Sequence, residues 1–355
     1  MMKLVLWLLS LAAATATPVL LDAAGVPSAR VRYDAAMALV DSDPAQAFEQ
    51  MHALAADNDA RAMDRLGHFH VAGIGTQPDT NAAIAQFRAA VDHGRARSRL
   101  PLGANLLRTG QIEAARTALE QAADDDIPGA VATLAWAHAT RALGAASDPE
   151  DGWATLYARA VAADRIAELR LVALVAKTGR THGNLDAVLA SLHTRAMDGD
   201  LRATETLLRY LRLRGHPRND LALRSELLAL PGLRPKAAVE EGLHLAARTQ
   251  AHRFWTASED IVNDAPADVY ARALLTTYKI NKNAYVRLLQ KELRKRGYAT
   301  GRANGYLTAS TIRAFSRFCR DAGIARDCRR GPLNWATLQA ATRALAQSRV
   351  PSEGA

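Results

Sequence analysis

The stretch from Ala62 to Gly103, AMDRLGHFHVAGIGTQPDTNAAIAQFRAAVDHGRARSRLPLG, decides how this chain folds. Ala62, Leu66 and Phe69 fall at i, i+4 and i+7, which places them on one face of a helix. Gly73 and Gly75 break that helix, and Asp79 or Thr80 is placed to cap a second one. Ile84, Phe87 and Val91 then line a face at i, i+3 and i+7 until Gly94 ends the run. Ala96 and Leu100 begin the first helix again, with Pro101 inside it, where a proline should kink the chain. The segment is one helix–turn–helix unit and the start of its successor.

The unit recurs along the chain. An A-x-x-x-L pair appears as Ala62/Leu66, Ala96/Leu100, Ala130/Leu134, Ala167/Leu171, Ala203/Leu207 and Ala271/Leu275. The intervals between the alanines are 34, 34, 37, 36 and 68, the last being twice 34. Ala237 stands midway in the long gap, with Glu241 in its leucine slot. Two helices per unit at this period are the signature of a tetratricopeptide-type solenoid. The expected fold is therefore all-α, a tetratricopeptide-like array of helical hairpins.

Leu66, Gly67, Phe69, Gly73, Gly75, Asp79, Ala83, Phe87, Ala90 and Gly94 together spell a pattern that resembles the Sel-one-like repeat. This unit carries the match; the next has a shorter turn at Gly110, and later ones keep the alanine–leucine skeleton and a glycine such as Gly179 or Gly215. The resemblance implies a scaffold that binds a protein partner, without chemistry of its own.

Before the repeats, Met1–Lys3 supply one positive charge, Leu4–Ala14 are apolar but for one serine, and Ala14-Thr15-Ala16 is a small-x-small cleavage site. An apolar run this short does not span a hydrocarbon core of roughly 30 Å. The reading is a signal peptide over 1–16, cleaved near Ala16, with export to a periplasm and no transmembrane segment in the mature chain; the alternative is an uncleaved buried helix. Ala29–Val40 and Asp43–Ala56 form a leading helix pair, with Asp43 and Pro44 at cap and first-turn positions. The array is expected over 17–280, and Ile280–Asn283 (INKN) is read as a linker.

From 281 to about 350 the pattern changes. Val286, Leu289 and Leu293 share a helical face that Gly297 ends, and a polar loop, GYATGRANG, runs from Gly297 to Gly305. Thr308 is placed to cap a second helix with Ile312, Phe315 and Cys319 inward, and Asn334 a third with Leu338, Ala341 and Leu345 inward. Three short helices around a small apolar centre describe this segment, with 351–355 as a tail. The sequence of Val286, Leu289, Gln290, Leu293, Gly297, Tyr298, Gly301, Asn304, Gly305, Thr308, Thr311, Ala314, Phe315, Phe318, Gly331, Leu333, Thr337 and Leu338 resembles the three-helix peptidoglycan-binding domain of cell-wall hydrolases. It departs from that family where Asn304 replaces an aspartate, Leu307 a glycine and Arg320 a glutamine. The resemblance implies that peptidoglycan is bound near the first interhelical loop. There the chain offers Tyr298, Arg302, Asn304 and Tyr306, followed by Arg313 and Arg317 one turn apart. The plainer alternative makes Tyr298 a core residue and the arginines a solubilising surface.

Charge is segregated to the same end. Residues 279–355 carry 16 basic and 4 acidic side chains, whereas residues 1–278 carry 29 and 32. A surface of that kind attracts polyanions at modest ionic strength: cell-wall carboxylates, acidic polysaccharide or lipid headgroups. Nucleic acid fits the charge but not an exported chain. The two cysteines, Cys319 and Cys328, lie in this segment without a C-x-x-C pattern or histidines at zinc-finger spacing, so they read as a disulfide in an oxidising compartment, or else as two buried thiols.

Enzyme signatures are missing: there is no G-x-S-x-G, Walker loop, H-E-x-x-H or dinucleotide fingerprint. His68 and His70 lie two apart on a helix and point about 200° from one another, which does not make a metal pair. No catalytic residue, metal or cofactor is expected. The sequence reads as a non-catalytic exported adaptor that joins a protein partner on the solenoid to peptidoglycan or another acidic polymer. The alternatives are a periplasmic scaffold for exopolysaccharide assembly or secretion, and a non-catalytic regulator of a cell-wall hydrolase or sensor.

Overall fold

The computed structural model describes residues 27–180, 183–216 and 219–347; the leader over 1–16 and the tail over 351–355 lie outside them. Among the described residues the fold is all-α, with no β-sheet. Two compact units divide the chain, Met1–Thr155 and Leu156–Ala355.

The first unit opens with α1 (Ala29–Ala38) and α2 (Pro44–Ala56), followed by α3 (Ala60–Ala72) and α4 (Thr80–Asp92). It continues with α5 (Arg99–Arg108), α6 (Ile112–Asp124) and α7 (Ala130–Ala139), and the division between units falls inside α8 (Pro149–Val161). Asp43, Asp59 and Asp79 cap α2, α3 and α4, each accepting backbone N–H groups with its carboxylate. Helix pairs close tightly because the first helix presents glycine. A Cβ on Gly67 would lie 2.7 Å from the Phe87 ring, and one on Gly103 would lie 2.7 Å from Leu119. Ala62, Leu66 and Phe69 are buried as their spacing predicts. Successive pairs then pack in order, α2 on α3, α4 on α5 and α6 on α7.

Three expectations for this unit need correction. A 3₁₀ turn occupies Ala96–Ser98 and the α-helix starts at Arg99, so Pro101 sits in the first turn, where its missing N–H costs no helical bond and nothing kinks. The buried positions are Ser98 and Leu102, two residues beyond the expected Ala96/Leu100 pair. Leu134 is also half-buried, since Ala130, Ala132, Thr133, Ala135 and Ala137 take the interior of α7.

The second unit holds α9 (Arg165–Thr178), α10 (Asp186–Met197), α11 (Leu201–Arg214), α12 (Leu221–Leu228), α13 (Pro235–Thr249), α14 (Phe254–Asn263) and α15 (Ala267–Ile280). After these come α16 (Lys282–Lys295), α17 (Ala309–Asp321) and α18 (Trp335–Gln347). Alternate helices stack, α9 on α11, α11 on α13 and α13 on α15, which is how a helical-hairpin solenoid buries the first helix of each pair. Ala167, Leu171, Ala203 and Leu207 are buried in that stack. In α15 the interior positions are Tyr270 and Leu274, one residue before the expected Ala271/Leu275.

Charge is threaded through this stack. Glu168 of α9 is buried and accepts hydrogen bonds from Ser191 Oγ (2.6 Å) and from Arg195, whose guanidinium also bonds Asp200 (2.6 Å). Asp200 caps α11, so one arginine ties three successive helices. Glu241, in the leucine slot of α13, is only 1% exposed and is met by Arg224 at 2.6 Å and Arg212 at 3.1 Å. A buried carboxylate so paired avoids the cost of an isolated charge.

The INKN stretch is not an extended linker. Asn281 alone separates α15 from α16, and its side chain caps α16 by accepting from Ala284 N at 3.0 Å. One cluster runs from Leu243, Val262, Tyr270 and Leu274 into Tyr285, Leu289, Leu293, Phe315, Phe318, Leu338 and Leu345. Thr308 and Asn334 cap α17 and α18 as their positions predict. Ile312, expected inward, is 42% exposed, because Thr311, Ala314, Phe315, Phe318 and Cys319 form the inner stripe. Cys319 and Cys328 are joined in a disulfide.

Two outcomes follow. Leu171→Asp is expected to cost more than about 3 kcal/mol, by cavity and buried-charge penalties together, and Leu134→Asp clearly less, as read by thermal denaturation; equal losses would place both side chains at the same depth. Asp200 is held at about 2: burial opposes ionisation, but Arg195, backbone N–H groups and Arg165 outweigh it. Its stabilising charge is fully present above the unfolded value near 3.8 and is lost as pH falls through about 2. Asp200→Asn should therefore melt lower than the parent at pH 6 and converge with it by pH 2, whereas a constant gap would show that the charge contributes nothing.

Candidate functional site

The loop between α16 and α17 is organised by a buried glutamine. Gln290, fully buried on α16, donates through Nε2 to the Tyr306 carbonyl and to Thr311 Oγ1, both at 2.9 Å, and accepts at Oε1 from Gly305 N at 3.0 Å. Both ends of one amide are thereby used to pin a loop that has little secondary structure of its own. Ser310 Oγ adds a bond to the Thr300 carbonyl at 3.0 Å. Gly305, at φ +77°, lies so near Asn283 O and the Trp255 ring that a Cβ would fall within 2.9 Å of both. Arg287 donates to the Ala303 carbonyl at 3.0 Å while pairing with Glu259 of α14. The loop is thus braced from α14 as well as from α16.

On this frame the residues singled out by sequence separate into two groups. Arg302 and Tyr306 are exposed on the loop, and Arg313 and Arg317 are exposed on α17, one turn apart. Tyr306, at 62%, is the most exposed large apolar side chain among the described residues. Tyr298, by contrast, packs edge-on against Phe318 and donates to Asp321 Oδ2 at 2.8 Å; that hydrogen bond, then burial, raises its phenol pKa. Asn304 turns its Oδ1 back onto Tyr306 N at 3.1 Å and so shapes the turn.

The basic side chains separate as well. Arg287, Lys291, Lys295 and Arg296 are neutralised by Glu259 and Glu292. Arg302, Arg313, Arg317, Arg320, Arg326, Arg329 and Arg330 are exposed and form no ion pair among the described residues. Arg313, Arg317 and Arg320 fall at i, i+4 and i+7, which makes a stripe along α17. Sequence charge marked the segment, but which of its cations are already partnered is a matter of contacts across helices. Gln290 stood in the family pattern; its role as the loop's anchor could not be read without the carbonyls it meets.

A concavity of about 650 Å³ lies along α11 and α13, bordered by Arg209, Arg212, Arg234, Lys236, Glu240 and Arg272. Most of these charges pair internally, Arg212 and Arg272 with Glu240 and Arg234 with Glu205. No cluster of three or more histidine, cysteine, aspartate or glutamate side chains among the described residues could hold a metal ion. His68 and His70 instead stack edge-on against Phe87 and Phe48, and burial lowers the pKa of both. No described helix is long and apolar enough to cross a membrane.

No protein-family model matches this chain, and no curated protein matches it. Among solved structures it is similar to a protective antigen of uropathogenic Escherichia coli strains with an SLR fold, at 15% identity and a TM-score of 0.40. The match covers 92% of this chain and 66% of that antigen.

Gln290→Leu removes the three hydrogen bonds to Gly305, Tyr306 and Thr311 while keeping an apolar core volume. Unsatisfied partners should cost about 2–4 kcal/mol in total, and hydrogen exchange should quicken at Gly305 and neighbouring amides before it does in α9 or α11. Unchanged exchange in the loop would show that the glutamine does not hold it.

Proposed function

We propose that this protein is a non-catalytic adaptor whose helical-hairpin array receives a protein partner while residues 281–347 bind peptidoglycan or another acidic polymer. The observation that carries the reading is the set of seven exposed arginines between Arg302 and Arg330 that have no carboxylate partner among the described residues. Like charges gathered without counter-charge repel one another and are stabilised when a polyanion neutralises them. Arginine engages carboxylates in bidentate fashion, and the carboxylates of stem peptides or of acidic sugars meet that geometry. Tyr306, exposed beside Arg302 in sequence, adds a ring against which a sugar or peptide can lie. The leader read over 1–16 supports export to the compartment where such polymers occur. The same arginines also serve the second reading, a scaffold for acidic exopolysaccharide.

The test uses the whole chain, because α16–α18 share their core with α13–α15. Sedimentation with purified sacculi, beside an immobilised acidic polysaccharide, is measured at low and high salt. Arg302→Ala with Arg313→Ala and Arg317→Ala should abolish sedimentation with sacculi while helix content stays intact. Arg209→Ala with Lys236→Ala, on the concavity along α11 and α13, should leave it unchanged. Absence of sedimentation at every salt would overturn peptidoglycan binding, and retention by the polysaccharide alone would move the exopolysaccharide reading ahead.

A further inference from the structure

A second surface of the same unit carries chemistry that the arginine face does not use. The end of α15 lies beside the start of α18, and Tyr278 Oη donates to the Leu333 carbonyl at 2.9 Å, which fixes the approach to α18. The bond sets the indole of Trp335 beside the Tyr278 ring, with centroids 6.3 Å apart and planes inclined by 40°. Tyr285, fully buried, meets Tyr278 edge-on at 5.6 Å from beneath and so backs this ring from the core. Trp335 remains 42% exposed, and no other described tryptophan reaches that exposure. The first turn of a helix has no need of a large apolar ring, and leaving one in water forgoes the gain of burying it.

A lysine ammonium lies over each ring. Lys279 Nζ lies 5.0 Å from the Trp335 centroid and Lys282 Nζ 5.8 Å from that of Tyr278. Both are exposed, and neither forms an ion pair among the described residues. The indole face therefore already attracts positive charge, and the sugar C–H bonds of a pyranose ring, which carry partial positive charge, are attracted to such a face in the same way. The ammonium groups over the two rings match a carboxylate on or next to that sugar.

We propose that Trp335, Tyr278, Lys279 and Lys282 form a platform for a carboxylate-bearing pyranose, the sugar stacking on the indole and the lysines meeting the carboxylate. This deepens the polymer-binding reading and rests on it, but it names a surface separate from the loop and α17. The shared chemistry has two sources: a sugar of peptidoglycan with the carboxylates of its stem peptide next to it, or a uronic acid of a polysaccharide.

The platform is tested on the full chain by calorimetric titration with three soluble probes: a purified muropeptide, a hexuronic acid oligomer and a neutral chitin oligomer. The parent should bind at least one of the acidic probes more tightly than the neutral one, and which of them it binds identifies the source. Trp335→Ala should weaken that binding at least tenfold with helix content and melting temperature unchanged, while Trp335→Phe should recover part of it. Lys279→Gln with Lys282→Gln should weaken the acidic probe and leave the neutral one as it was. If Trp335→Ala binds as the parent does, or the parent binds no probe, the platform is wrong. Sedimentation with sacculi separates the two ideas: sedimentation that survives Trp335→Ala but not the arginine substitutions upholds the arginine face and removes the platform.

Discussion

A pair of short helices has two sides to cover and can cover only one of them by itself, so each pair in this protein depends on its neighbours. Glycine and alanine make the inner approach close enough for this to work. Gly67 lets Phe87 press against α3, and Gly103 does the same for Leu119 against α5. Where an interior position is charged instead, the neighbours supply the counter-charge. Arg195 reaches from α10 to Glu168 on α9 and to the cap of α11, and Arg212 reaches from α11 to Glu241 on α13. Such bonds are weak evidence of added stability, but they fit only one arrangement of successive helices and so help to set the order of the stack.

That use of charge bears on the surface as well. Within the hairpins the carboxylates are largely spent on caps and on inter-helix arginines, as Asp59, Asp164, Asp200, Glu205 and Glu240 illustrate. Beyond α16 the supply of acid nearly ends. Glu259 and Glu292 pair with Arg287, Lys291, Lys295 and Arg296, and the arginines of the loop, α17 and the segment after it are left facing solvent. The positive face is therefore what remains once internal pairing has been satisfied, and it has a shape because Gln290 holds the loop that begins it.

The C-terminal helices show how an attached segment is built into an array. With one residue between α15 and α16, there is no slack for independent movement at that point, and Tyr285, Leu289 and Leu293 continue the core of Tyr270 and Leu274. The loop before α17 rests against Trp255 of α14. The surfaces argued to meet a polymer are thus held on rigid elements rather than on a tethered appendage, which favours defined contacts over generic attraction.

What the sequence determined by itself is the kind of structure: hairpins at a period near 34, the caps at Asp79, Thr308 and Asn334, the inward faces of α3 and α18 and the concentration of arginine at one end. These are local or compositional properties, set by helical periodicity, capping chemistry and counting. Tertiary structure decided the rest. An A-x-x-x-L pair cannot fix a register where alanine is abundant, so the interior moved to Ser98/Leu102 and Tyr270/Leu274, and Leu134 was left half-buried. Ile312 turned outward because Thr311, Ala314, Phe315, Phe318 and Cys319 take the inner stripe of α17, and Tyr298 is drawn against Phe318 and Asp321. Which arginines are free, and that Tyr278, Lys279, Lys282 and Trp335 share one surface, depends on the approach of α15 to α18. Residues more than fifty positions apart in the chain become neighbours there through a single hydrogen bond from Tyr278 to Leu333 and the core beneath it, and no spacing in the sequence records that contact.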